Sequence, residues 1–165
     1  MVNKLEKCLH PMLAKRDQNW FCRRIQAEMN RQGLGYLILQ TPCNVFYATG
    51  YMPLVGSSAA VVPAEGDVHL IISTLESADA YASTQNVDVR EFMSWVFIDN
   101  GTEASRRDKG DVMDPDAIVH MCLDLIKNTP MDGKVGVELG SIGHQFFTKL
   151  TGGLPEGMVV DGSTV

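Results

Sequence analysis

The sequence is short of the features that announce most functions outright. It has no run of about 18 apolar residues, the length a membrane-spanning helix needs, and its first residues, MVNKLEKCLHPMLAKRDQ, lack the apolar core of an export signal. Neither a membrane span nor export is expected. The formal glycosylation acceptor Asn100-Gly101-Thr102 therefore carries no weight. Four cysteines, Cys8, Cys22, Cys43 and Cys122, show no CxxC and no regular spacing, which excludes a signalled zinc site or disulfide framework. They read as reduced thiols in a cytoplasmic protein. Basic residues are outnumbered, 14 against 20 acidic ones for a net charge of -6. The one basic knot, Arg106-Arg107 with Lys109, is offset by Glu103, Asp108 and Asp111. Phosphate binding needs clustered cations, so a nucleic-acid partner is excluded.

Catalytic signatures are missing too. The chain contains no HExxH, Walker loop, GxGxxG or GxSxG. DKGDVMDPD is acidic, but it lacks the sixth-position glycine and twelfth-position glutamate of an EF-hand loop. The histidines, at 10, 69, 120 and 144, have no partners at metal-ligand spacing and read as surface or packed side chains. Cys43 sits in a suggestive loop, yet no histidine accompanies it as a base. No catalytic residue and no cofactor are assigned to this chain.

What is present is organised around Tyr36 to Tyr51, YLILQTPCNVFYATGY. Tyr36 to Leu39 is apolar at every position, the pattern of a strand buried on both faces and central in a sheet. Thr41-Pro42 stops it, because proline has no N–H for the ladder. One helical turn over Asn44 to Ala48 and a break at Thr49-Gly50 follow. Such a strand delivers its loop to the carboxyl edge of the sheet, where open α/β folds bind ligands.

The flanking segments predict the other elements. Residues 1–16 read as a loose leader. Asp17 caps a helix to about Gln32 with Phe21, Ile25 and Met29 inward, and Gly33 ends it with Leu34 folded back over its last turn. Ser58 to Val62 and Val68 to Ile72 flank the turn cluster Pro63 to Asp67, which predicts an antiparallel hairpin. Ser73 and Glu76 have capping-box spacing and open a helix to about Gln85, with Leu75, Ala78 and Ala82 inward. Val87 to Phe92 is a further strand, and Asp99 to Asp111 the longest loop. Asp114-Pro115 starts a helix whose Ile118, Met121, Cys122 and Leu125 fall on one face. A strand Lys134 to Leu139, a short helix capped by Ser141 with Phe146, Phe147 and Leu150, and a last strand Met158 to Asp161 complete an α/β fold. The expected architecture is a mixed sheet of about six strands with one antiparallel hairpin, flanked by helices.

TPCNVFYATGY, preceded by RRIQAEMNRQGLGYLIL and followed by AAVVPAEGDVHLII, KVGVELG and VVDGSTV, resembles the N-terminal domain of the creatinase/prolidase/aminopeptidase P family, the pita-bread hydrolases. The resemblance covers residues 17–165 in the right order, as a single domain. It implies that the chemistry, including the divalent metal pair (Mn, Co or Zn) of the peptidases, belongs to a C-terminal catalytic domain absent from this chain. It implies as partners that domain and a second copy of the chain, a homo-oligomer and most simply a dimer. It also implies a gating role for the loop after Thr49-Gly50, with Tyr47, Tyr51, Met52 and the rim residue Trp95 as candidates. Creatine-hydrolysing members place an arginine in this loop, and YMPLVGSS has none. A prolyl dipeptide or another small amide suits it better. The alternatives are a stand-alone protein- or peptide-binding module of the same fold without hydrolase activity, and a small flavodoxin-like enzyme.

Overall fold

The computed structural model describes residues 17–54, 58–94 and 114–165. The elements run α1 (Gln18–Gln32), β1 (Leu34–Leu39), α2 (Pro42–Thr49), β2 (Ala59–Pro63), β3 (Val68–Ser73), α3 (Ser77–Ser83), β4 (Val87–Phe92), α4 (Ala117–Asn128), β5 (Lys134–Val137), α5 (His144–Gly152) and β6 (Val159–Asp161). The strands form one mixed sheet in the order β4-β3-β2-β1-β5-β6. β2 is antiparallel to both neighbours, while the β1–β5, β5–β6 and β3–β4 pairs are parallel. Five strands therefore share a direction, and their carboxyl ends lie along one edge.

Every residue of β1 is buried, as its unbroken apolar run predicts. Alternate side chains feed two cores. Leu37 and Leu39 join Ile25 and Met29 of α1, Val45 and Ala48 of α2, and Ala80 of α3. Tyr36 and Ile38 join Ile118, Cys122, Leu125 and Ile126 of α4 and Leu150 of α5 on the other face. Burying one such large apolar side chain contributes about 1.5–3 kcal/mol. The Tyr36 hydroxyl donates to the Thr129 carbonyl, and burial raises its pKa.

The ends of α1 follow their residue chemistry. Asp17 Oδ1 accepts from Trp20 N at 3.2 Å, and Gly33 closes the helix at φ 70°. Gln26 donates to the Pro63 and Gly66 carbonyls at 3.1 and 2.9 Å, which ties α1 to the β2–β3 hairpin.

Several boundaries differ from the sequence-based expectation. Leu34 enters β1 as a strand residue. α2 has eight residues because Pro42 takes the first helical position and Gly50 the left-handed stop, at φ 82°. α3 begins only at Ser77, so the inward position falls on Ala80, and Leu75, Ala78 and Ala82 are exposed. α4 starts at Ala117 because Asp114 to Asp116 form a turn in which Asp114 Oδ1 accepts from Asp116 N at 2.9 Å. Gly143, not Ser141, precedes α5. β5 ends at Val137, and β6 starts at Val159. The leader, Trp95 and the Asp99 to Asp111 loop lie outside the described residues. Among those described, no helix is long and apolar enough to cross a membrane.

Candidate functional site at the carboxyl edge

Two buried carboxylates organise the edge where β1 ends. Parallel pairing sets Ile38 of β1 beside Val137 of β5, so the residue that follows β5, Glu138, lies level with the exit of β1. Glu138 is 5% exposed. Its Oε2 accepts from Gln40 N at 2.5 Å and Thr41 N at 2.9 Å, and its Oε1 accepts from the Asn44 side-chain amide. Thr41, the residue preceding α2, makes no side-chain cap of its own; its hydroxyl donates to Ser141 Oγ at 3.0 Å. The entry to α2 is thus tied to the segment that follows β5, while Asn44 N and Val45 N close its first turn on the Thr41 carbonyl, each at 2.9 Å. A carboxylate that accepts several N–H groups tolerates burial.

The far end of α2 launches the next segment. Thr49 Oγ1 donates to the Val45 carbonyl at 2.7 Å and accepts from Tyr51 N at 3.1 Å. Tyr51 to Leu54 then runs with alternating burial: Tyr51 and Pro53 inward, Met52 and Leu54 outward at 38% and 78% exposure. Burial, followed by the negative charges of Glu76 and Asp79, raises the Tyr51 pKa. Glu76 is the second buried carboxylate, 5% exposed, and its Oε1 accepts from Leu54 N at 2.8 Å.

The sequence-based candidates are distributed unequally. Met52 and Tyr47 reach the surface, Tyr51 is turned into the core, and Trp95 is outside the described residues. Tyr47 packs edge-to-face on Phe21 at 4.9 Å, Phe21 does the same on Trp20, and Arg24 lies 4.7 Å above the Trp20 ring. A recess of about 70 Å³ beside Tyr47 is lined by Asn44, Glu138, Ser163 and Val165. A larger one, about 470 Å³, lies across the edge between Gln40, Phe92, Ser94, Asp114 and Phe146.

The donors of the described residues do not fit a metal pair. Among the described residues no three His, Cys, Asp or Glu side chains converge as ligands. His69 and His120 each turn Nδ1 to one aspartate, Asp88 at 2.9 Å and Asp114 at 2.7 Å. Cys43 is exposed on the first turn of α2, and burial drives the Cys122 thiol pKa upward.

Sequence reasoning missed both carboxylates. Glu138 carried a usable signal, a lone acid directly after the apolar strand residues Val135 to Val137. Glu76 was hidden by its capping-box spacing: its side chain leaves α3 for Leu54, and Ser73 Oγ accepts from Leu75 N at 3.2 Å instead.

Comparison with known proteins places this geometry. The chain adopts the fold of the N-terminal domain of the cytoplasmic peptidase PepQ from Mycobacterium tuberculosis, at TM-score 0.63 and 17% identity over 87% of this chain and 93% of that one. The N-terminal domain of Xaa-Pro dipeptidase from Lactobacillus brevis gives TM-score 0.63 and 18% identity over 87% and 95%. Xaa-Pro dipeptidase from Bacillus anthracis matches at TM-score 0.63 and 9% identity over 90% of this chain but 35% of that one, so this chain spans about a third of that protein. Comparison with curated protein sequences gave no match. A family model described as the Creatinase/Prolidase N-terminal domain matches residues 22–165. The chain belongs to the creatinase/prolidase N-terminal-domain family.

Proposed function

We propose that this domain is the non-catalytic N-terminal part of a cytoplasmic Xaa-Pro dipeptidase- or aminopeptidase-type hydrolase. It contributes to subunit association and narrows the entrance of an active site supplied by a catalytic domain in a neighbouring subunit. The observation that carries the reading is the Tyr51–Leu54 segment, fastened at both ends by side-chain hydrogen bonds yet holding Met52 and Leu54 out to solvent. Exposed apolar side chains on a fixed backbone suit contact with a second surface better than free mobility does. Tyr51 supports that rim from beneath. An apolar rim without a cation suits a prolyl dipeptide or another small amide. On this reading the divalent metal pair and its chemistry belong to the catalytic domain.

The test has two arms. The isolated chain, supplied with Mn²⁺ or Co²⁺ and an Ala-Pro dipeptide, is expected to show no hydrolysis, and turnover would sink the assignment of chemistry elsewhere. Sedimentation velocity of the polypeptide carrying this domain is expected to show a dimer; a monomer at all concentrations would remove the neighbouring-subunit role.

A further inference from the structure

We infer that Glu76 is a positioning residue: its buried carboxylate sets the backbone of Tyr51–Leu54 and so keeps Met52 and Leu54 facing outward. The inference deepens, and rests on, the gating role proposed above for the same segment. Glu76 immediately precedes α3, where a side chain would ordinarily serve the helix start, and it makes no such bond. Its Oε1 reaches instead across 22 residues of sequence to Leu54 N, at 2.8 Å. Pro53 gives this bond its leverage. Proline has no N–H and forces Met52 into an extended conformation, so Leu54 N is the first backbone donor after Met52. Upstream the segment is already fixed by Tyr51 N on Thr49 Oγ1 and by the buried Tyr51 ring. With Leu54 N held as well, the intervening residues have one way to alternate, Pro53 inward and Met52 and Leu54 outward. A glutamate that is 5% exposed costs folding free energy, and one serving only α3 would gain nothing from reaching Leu54.

Amide hydrogen exchange on the isolated chain tests the assignment with Glu76→Ala, Glu76→Asp and Glu76→Gln. Ala removes the acceptor and Asp falls one methylene short, so exchange at Leu54 is expected to rise about tenfold or more in both, with β1 and β3 amides unchanged. Gln keeps a carbonyl oxygen in place and is expected to stay close to the parent protein. Unchanged Leu54 exchange in E76A overturns the proposal. If E76A does not fold, E76D and E76Q decide: faster exchange in E76D alone supports it, and parent-like exchange in both overturns it. A second readout separates this from the gating reading. In the hydrolase carrying this domain, E76A and M52A are expected to raise KM together while kcat is retained. Faster exchange at Leu54 with KM unmoved would keep Glu76 as the positioning residue and overturn the gating role.

Discussion

Glu138 shows what one side chain contributes when three donors converge on it. Replacing it with alanine leaves Gln40 N, Thr41 N and the Asn44 amide without their acceptor in a part-buried place. Glu138→Gln is scarcely better, because its NH₂ group faces donors. Both are expected to lower stability by about 2–4 kcal/mol in urea unfolding, and Asn44→Ala by only about 1 kcal/mol. Equal losses in all three would refute the idea that the carboxylate integrates the loop. Glu28 works at the surface. Hydrogen bonds from Arg31, at 2.9 and 2.5 Å, and from Gln32 hold its carboxyl at about 2, against 4.5 for the free group. The folded value lies below the unfolded one, so this contribution is complete above 4.5 and is lost as pH falls through about 2. The stability difference between the parent protein and Glu28→Gln is therefore expected to be flat from neutral pH to about 5 and to shrink below it. A difference that grew on acidification would contradict the sign.

Elements meet where two turns cross. Gly33 ends α1 at φ 70° with open space around a would-be Cβ, so Gly33→Ala carries backbone strain alone, about 1–2 kcal/mol. Gly133, before β5, has φ 111°, and a Cβ there would lie 2.6 Å from Gly35 N and 2.7 Å from the Gly33 carbonyl oxygen. Gly133→Ala adds a collision with rigid backbone to the strain and is expected to cost about 3 kcal/mol or more. Urea midpoints of the two variants make the comparison, and matching losses would refute the close approach. Most elements were legible from residue pattern: the cap and stop of α1, the all-apolar β1, the hairpin and the α4 stripe each express a local rule. α3 was misplaced for a physical reason. A Ser and a Glu at capping-box spacing satisfy the local rule, but the hydrogen bond to Leu54 is a tertiary contact invisible to it.

Across the whole molecule the sheet couples two cores. Leu37 and Ile38 are adjacent, each 1% exposed, and point to opposite faces. Leu37→Ala and Ile38→Ala are each expected to cost about 2–5 kcal/mol. Both should shift far-UV circular dichroism and protection of the Cys122 thiol on α4 to the same urea midpoint, since neither face can lose its half of β1 alone. Separate midpoints for the two probes would show that the faces unfold independently.

The sequence by itself determined the α/β class, the strand and helix order, the central place of β1 and the family resemblance that the family model bears out. Those properties reside in periodicity, caps and breakers, which act over a few residues. The tertiary structure alone decided what happens at the carboxyl edge: Tyr51 turned inward while Met52 stayed outside, Glu138 went to the backbone of the β1–α2 loop, and Glu76 went to the backbone of Leu54. A buried carboxylate takes the donors that the packed sheet brings within about 3 Å, and strand pairing, not sequence spacing, brings them there.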